Sequence, residues 1–458
     1  MMLGNLGGTA LVGLMVLGLP RLLAVESYGH WQLYLFYATY LGYVSLGIGD
    51  GLYLRYSGTA LKDMPSALIS SHFRFLIPTI VMSMALLAAV AVAVEDDRTR
   101  LLIFVLAVTS NVFYILRVFI TFVYQAANHM ELYAKSLLIE RAILFLATFG
   151  LIIVGVTDVI VLVSMDLLAR IVGLGYCIFV ARSLIFATPV PWRQARSEIW
   201  LTFAGGIFIA ASSFATVLVA GIARWGANVA FGIAVFAQIA LAFSLVNMFQ
   251  TVLNSVSQAL LPSIRTYQGD LSAAFLRARD VISVVMLGAF VTYPILAWIM
   301  KWWLPDYESL PIYLAALFPM LLTEAKSRLL AVPILQSTRR EKSLSAATIS
   351  SLVLAIIVTW IAAGVVQSPL WTVLSLTIAV AFRAIVLEIM ATHALQLPIN
   401  KKLAAEVALS VIFLWATLFS ETWVPTVVFA VLLAIYLAAS VIGMRRRAVV
   451  KRSEISGV

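Results

Sequence analysis

The amino-acid sequence predicts an all-α, polytopic membrane protein with about 14 transmembrane helices, arranged as two pseudo-symmetric six-helix lobes and a C-terminal helix pair. Three observations predict this architecture: an apolar composition, long apolar runs with short polar breaks, and motifs that recur along the chain. Of the 458 residues, 63% are hydrophobic and only 11% are charged. Soluble domains carry roughly 25% charged residues, so the composition excludes a soluble globular protein.

The apolar runs have the length that a membrane crossing requires. A helix that crosses about 30 Å of hydrocarbon needs roughly 20 apolar residues. Runs of about this length cover residues 3–23, 31–54, 75–94, 101–124, 136–155, 158–181, 199–221, 229–253, 281–303, 311–336, 344–366, 370–394, 403–420 and 424–443. Each run is expected to form one helix.

The basic residues lie mostly in alternate breaks between the runs. The other breaks are poor in basic residues and rich in acidic ones: they hold Arg21, Arg98, Arg100, Arg224 and Lys301 beside Glu26, Glu95, Asp96, Asp97, Asp158, Asp306, Glu308 and Glu421. Basic loops remain cytoplasmic, so we expect both termini, including the basic tail RRRAVVKR at 445–452, to be cytoplasmic. The net charge of +10 is therefore interpreted as an orientation signal, and no nucleic-acid partner is expected.

Two short motifs suggest an internal repeat. GLPRLLAVESYG at 18–29 and GIARWGANVAFG at 221–232 both have Arg at the fourth position and end with an aromatic residue and Gly. Six runs separate the two copies, so the repeat is parallel, and a substrate site is expected near the midplane between the halves.

Further matches extend the repeat. RVFITFVYQ at 117–125 and RLLAVPILQ at 328–336 both begin with Arg and end with Gln. The predicted domains are an N-terminal six-helix lobe at 1–190, a C-terminal six-helix lobe at 195–396, and helices 13 and 14 with the basic tail at 401–458.

Four arginines lie at comparable depth inside the runs, two in each predicted lobe: Arg117, Arg170, Arg328 and Arg383. A charged side chain at the bilayer centre costs about 3 kcal/mol on insertion scales, so it usually faces a partner or water. Asp166 lies four residues before Arg170, and Glu324 four before Arg328, so each pair shares a helix face. Two interpretations remain open: salt bridges that join helices, or a hydrated cavity in which guanidinium groups bind a diphosphate.

Other residues are candidates for weaker reasons. Tyr37 and Tyr40 belong to a tyrosine series at every third position of the second run, which fits helix packing, an interfacial belt or a wall for stacking sugar rings. Asp50, Asp166 and Glu324 could each couple transport to a proton if burial raised their affinity for it. The four histidines lie near different helix ends, so no metal site and no catalytic group are predicted.

The stretch from Leu19 to Gly58 resembles the opening of bacterial polysaccharide, or O-antigen, flippases of the multidrug/oligosaccharidyl-lipid/polysaccharide (MOP) exporter superfamily. The resemblance rests on Arg21-Leu22-Leu23, Tyr28-Gly29, Leu46-Gly47-Ile48-Gly49 and Arg55-Tyr56. Leu23-Ala24 stands where these proteins usually have Leu-Gly.

The resemblance implies a multi-pass transporter of the bacterial cytoplasmic (inner) membrane, not an enzyme. Such a flippase works by alternating access and moves an undecaprenyl-diphosphate-linked oligosaccharide for cell-surface polysaccharide and lipopolysaccharide synthesis. It implies transport without ATP hydrolysis by the chain itself and no bound cofactor, and it leaves open coupling to a proton or a sodium gradient. The expected partners are membrane lipids, a polysaccharide polymerase and chain-length machinery.

Two other functions remain open. A cation-coupled multidrug exporter of the same superfamily resembles the chain in outline, but commonly has an acidic residue inside helix one or seven, where this sequence has only Glu198 at the edge of the seventh run. A membrane polysaccharide polymerase or ligase would typically have a large extramembrane loop, whereas the breaks here are short.

Overall fold

The computed structural model describes residues 2–266, 270–338, 340–398, 401–420 and 424–456, and the secondary structure within these ranges is entirely helical. The all-α prediction is therefore confirmed. The chain divides into two compact units, residues 1–217 and 218–458. Glu421 and the side chains of the basic tail at 445–452 lie outside the described residues.

The first unit is built from helices that follow the first seven apolar runs. They are α1 (Met2–Leu22), α2 (Val25–Leu41), α3 (Ile48–Tyr56), α4 (Ser66–Val94), α5 (Arg98–Ala126), α6 (Met130–Ile153), α7 (Val159–Val180) and the beginning of α8 (Trp192–Thr266). The chain passes from the first unit to the second inside α8, between Val217 and Leu218.

The second unit contains the rest of α8 and the helices that follow it. They are α9 (Leu271–Ala289), α10 (Tyr293–Trp303), α11 (Leu310–Leu317), α12 (Pro319–Lys326), α13 (Val332–Ser337), α14 (Glu341–Trp360), α15 (Pro369–Ala394), α16 (Lys401–Leu418) and α17 (Val424–Ser456). Each of the predicted runs thus lies mainly within one or more helices.

Aspartates define the beginnings of three helices. The Asp97 carboxylate accepts hydrogen bonds from the backbone N–H groups of α5, Asp158 does the same for α7, and Asp270 does so for α9. A carboxylate at this position satisfies N–H groups that have no partner within the helix and complements the helix dipole. Asp97, Asp158 and Asp270 therefore act as helix caps.

The second apolar run forms two helices, so the prediction of one helix over 31–54 was wrong. After α2 the chain tightens into a 3₁₀ turn at Gly42–Ser45, and Leu46 and Gly47 then adopt positive φ angles of 48° and 83°. Glycine adopts this left-handed conformation readily, whereas a side chain such as that of Leu46 disfavours it. The helical direction is therefore reset before α3 begins.

The predicted break between the seventh and eighth runs was also misplaced. The stretch at 221–231 is helical, and α8 leaves the helical conformation only at Gly232, with φ 80° and ψ 179°. The first copy of the motif breaks at Leu23 and Ala24 instead. The two copies of the motif thus differ in where the backbone breaks.

The tenth run, predicted as one helix, is divided into α11, α12, a π-helical turn at Ser327–Ala331, and α13. In a π-helical turn the carbonyl of Arg328 would accept from the N–H of residue 333, but Pro333 has no N–H. The Ser257 hydroxyl donates to the Arg328 carbonyl at 2.5 Å. A side chain of α8 thus replaces the missing backbone bond.

Within the described residues, nine helical segments are long and apolar enough to cross a membrane. Large apolar side chains on their exteriors, such as Met82, Leu146 and Trp298, are exposed, as expected of surfaces that contact lipid. The chain is therefore a multi-pass membrane protein, and the count of 14 crossings stays a prediction.

Glycines allow two helices of the first unit to touch. A Cβ on Gly206 would overlap the carbonyl oxygen of Gly47, and a Cβ on Gly51 would overlap the carbonyl oxygen of Thr202. Small residues permit this close backbone approach between membrane helices. The contact fixes α3 against the first part of α8.

Candidate functional site

The two intramembrane arginines of the first unit are both ion-paired. Arg117 on α5 contacts Glu140 on α6, with 2.5 Å between Nε and Oε2. Arg170 on α7 contacts Asp166 of the same helix, with 2.6 Å between Nε and Oδ2. All four side chains are largely buried. Three helices therefore contribute to one charged cluster, which we call the N-terminal arginine cluster.

Tyr114 joins the two ion pairs. Its ring centroid lies 5.5 Å from the guanidinium carbon of Arg117 and 4.9 Å from that of Arg170. Aromatic rings attract cations at such distances. The two guanidinium groups thus share one aromatic neighbour as well as adjacent carboxylates.

Tyr34 extends this cluster to α2. Its hydroxyl donates a hydrogen bond to the Asp166 carboxylate and shares a second one with the Ser110 hydroxyl at 2.8 Å. The Tyr34 side chain is fully buried. One member of the tyrosine series is therefore a hydrogen-bonding part of the core.

In the second unit, one carboxylate holds both arginines. Glu324 on α12 contacts Arg328 at 2.5 Å and Arg383 on α15 at 2.5 Å. Arg328 also donates to Asn254 at 2.5 Å and to Gln250 at 3.3 Å, both on α8. This C-terminal arginine cluster includes the most accessible of the four guanidinium side chains, because Arg328 is 24% exposed whereas Arg383 is 8% exposed.

A second charged group lies close by in the sequence and joins four helices. Lys326 contacts Glu388 on α15 at 2.6 Å and Glu406 on α16 at 2.5 Å. The Tyr436 hydroxyl on α17 donates to Glu406 at 2.7 Å. This Lys326 cluster attaches both C-terminal helices to the rest of the second unit.

The other predicted site residues lie elsewhere. The Tyr37 ring packs edge-on against Phe104 at 5.0 Å, and the Tyr40 hydroxyl donates to the Val217 carbonyl at 3.2 Å. Asp50 lies in the first turn of α3 and is partly buried. Among the described residues, no hydrogen bond or ion pair joins Tyr37 or Asp50 to an arginine cluster.

The sequence analysis did not single out several residues of these clusters, namely Tyr114, Glu140, Lys326, Glu388, Glu406 and Tyr436. The four charged ones lie inside apolar runs, so the cost that drew attention to the arginines applies to them equally. Their identity as partners could not be read from the sequence, because each partner except Asp166 and Glu324 comes from a different helix. In the described part of the chain, no group of His, Cys, Asp or Glu side chains is arranged to hold a metal ion.

Solved structures share this fold. A structure described as lipid II flippase MurJ in an inward closed conformation aligns with a TM-score of 0.66 over 98% of each chain, at 14% identity. An inward-facing multidrug resistance MATE family transporter of the MOP superfamily aligns with a TM-score of 0.60 over 86% of this chain and 98% of its own, at 12% identity. A MATE in complex with MaD5 aligns at 0.56 over 86% and 94%, at 13% identity.

No protein-family model matches the sequence, and no curated protein matches it. The chain has the MurJ- and MATE-like fold.

Proposed function

We propose that this chain is a MOP-superfamily flippase that moves an undecaprenyl-diphosphate-linked oligosaccharide across the bacterial cytoplasmic membrane by alternating access, without acting as an enzyme. In this proposal the halves are the six-helix lobes at 1–190 and 195–396, residues 401–458 add a helix pair, and both termini are cytoplasmic. The shared fold with a lipid II flippase over 98% of both chains supports it.

The observation that carries the proposal is the C-terminal arginine cluster. Glu324 neutralises one guanidinium charge, but Arg328 and Arg383 supply two. Arg328 is also partly exposed and is held by the neutral side chains of Asn254 and Gln250. A guanidinium group donates paired hydrogen bonds to phosphate oxygens. Arg328 is therefore suited to exchange these neutral partners for a diphosphate.

The remaining roles rest on the same proposal. In the first half, Arg117 and Arg170 would donate to the diphosphate on release from Glu140 and Asp166, and Tyr37 and Tyr40 offer faces on which sugar rings stack. Asp50, Asp166 or Glu324 takes the coupling proton or sodium ion. A polysaccharide polymerase and its chain-length machinery receive the transported lipid-linked oligosaccharide.

A multidrug exporter is the second candidate, because two MATE structures share the fold. Acidic side chains inside the membrane, such as Glu140 and Asp166, suit a cationic cargo or coupling ion. Deletion of the gene in its host separates the two functions. Loss of a flippase should accumulate lipid-linked oligosaccharide in the inner leaflet, whereas loss of a multidrug exporter should raise sensitivity to cationic drugs and leave surface glycan unchanged.

A substitution tests the role of Arg328 directly. Charge-assisted hydrogen bonds contribute about 1.5–3 kcal/mol each, so Arg328→Gln should lower glycan export about tenfold or more, and Arg328→Lys should be intermediate. Arg340→Gln removes the same charge from an exposed position and serves as the control. Export is measured as surface glycan in a deletion strain that expresses each variant at equal level. Normal export by Arg328→Gln would remove this arginine from the transport site.

A further inference from the structure

The first unit contains an open groove that is separate from the arginine clusters. It has a volume of about 710 Å³ and lies among α4, the beginning of α8 and the turn at Val44–Ile48. Pockets of roughly 300–1,000 Å³ accommodate drug-sized ligands. We call this feature the α4/α8 groove.

The walls of the groove are mainly apolar. Phe75 and Ile80 on α4, Leu46 in the turn, and Ile199 and Phe203 on α8 line it. The left-handed Leu46 and Gly47 interrupt the helix on one side, and the glycine contact between α3 and α8 holds the neighbouring backbones in place. The groove is therefore a preformed surface suited to a hydrocarbon chain.

Two arginines also line the groove and carry charge without a carboxylate partner. Arg193 and Arg196 lie one turn apart at the beginning of α8, and both are exposed. Among the described residues, neither forms an ion pair, whereas the nearby Arg55 pairs with Glu198. These two guanidinium groups are thus available to an anion at the groove.

Tryptophans flank the two arginines. Trp192 packs near Phe75, with 6.0 Å between ring centroids, and Trp200 stacks on Phe203 at 5.5 Å. Trp192, Arg196 and Trp200 are four residues apart and so share one helix face. Tryptophan prefers the level of lipid headgroups, which places this face where headgroups and acyl chains meet.

We propose that the α4/α8 groove binds one anionic glycerophospholipid of the cytoplasmic leaflet. An acyl chain lies along the apolar walls, and the phosphate accepts hydrogen bonds from Arg193 and Arg196. Basic pockets between membrane helices on the cytoplasmic side recognise lipid headgroups in this way. The site is independent of the transported cargo, because it lies within one unit and uses none of the four intramembrane arginines.

Native mass spectrometry of the full-length protein tests the proposal with dioleoyl phosphatidylglycerol and dioleoyl phosphatidylcholine as probes. The unmodified protein should retain the anionic lipid about tenfold more than the zwitterionic one. The double variant Arg193→Gln/Arg196→Gln should lose that preference. The control Arg340→Gln/Lys342→Gln removes equal charge from exposed positions outside the groove and should keep it.

A second variant tests the groove itself. Thr79 lines the groove on α4, and Thr79→Trp should fill it and reduce retention of both lipids. The proposed site would be overturned if Thr79→Trp bound both lipids as well as the unmodified protein. It would also be overturned if the Arg193/Arg196 double variant kept its lipid preference, or if the two double variants lost it equally. A polyprenyl diphosphate that displaces phosphatidylglycerol at equal concentration would overturn the assigned ligand. Failure of the flippase proposal, seen as normal surface glycan and no accumulated lipid-linked oligosaccharide in the deletion strain, would leave these binding results unaffected.

Discussion

Arg117 and Arg383 have no acidic residue four positions away in the sequence, yet both are ion-paired. Their partners Glu140 and Glu324 lie on neighbouring helices. Of the two interpretations that the sequence left open, the salt bridge is present for every one of the four arginines. The sequence showed where charge enters the membrane but not which helices meet there.

The Arg117–Glu140 pair allows a matched test at the residue scale. Removing one partner of a buried ion pair leaves an uncompensated charge and costs about 3–5 kcal/mol. Arg117→Gln should therefore lower the thermal unfolding temperature strongly, while the double variant Arg117→Gln/Glu140→Gln should recover most of the loss. Unfolding is measured by the tryptophan fluorescence of the purified protein. Equal destabilisation of the single and double variants would show that the ion pair is not the source of the effect.

At the scale of elements, the apolar runs located the helices but not the breaks inside them. A 3₁₀ turn at Phe290–Thr292 divides the ninth run, predicted as one helix, into α9 and α10. Polar residues mark breaks in soluble proteins, but this interruption and those at Leu46 and Gly232 fall within apolar sequence. Only glycine gave a signal, and it was ambiguous, because Gly47 and Gly232 break the backbone whereas Gly206 stays helical. Packing between helices, rather than local sequence, decides whether a glycine breaks a helix or lies within one.

Two adjacent glycines in α8 allow a matched test of the close contact between α3 and α8. A Cβ on Gly206 would overlap the Gly47 backbone, whereas a Cβ on Gly205 would meet nothing within 4 Å. Gly206→Ala should destabilise the protein by about 1–3 kcal/mol because neither backbone can give way easily. Gly205→Ala should be neutral or slightly stabilising, since alanine favours helix by up to about 1 kcal/mol. Thermal unfolding of the two variants under identical conditions decides, and equal effects would argue against the close contact.

At the scale of the whole molecule, the sequence predicted an all-helical membrane protein, and the structure confirms it. The orientation of the chain rests on the placement of charged loop residues alone. Lys62 and Asp96 lie in successive breaks, on opposite sides of α4, and both are exposed. Labels attached at these two positions should therefore lie on opposite sides of the membrane.

Cysteine labelling tests this orientation. The single natural cysteine, Cys177, is fully buried, so it should react little with a membrane-impermeant maleimide. In intact cells, Asp96→Cys should be labelled and Lys62→Cys should be labelled only after the membrane is permeabilised. The reverse pattern would invert the topology and would place the α4/α8 groove in the outer leaflet.

The Glu324 carboxylate is shared by Arg328 and Arg383. In the proposed transport cycle, Glu324 keeps Arg383 as its counter-charge when an anion binds Arg328, so no buried negative charge is left without a partner. When the anion departs, Arg328 can return to a partner that never moved. In this proposed cycle, the return of Arg328 to Glu324 thus restores the charge balance of this cluster, and the coupling ion serves to drive the cycle.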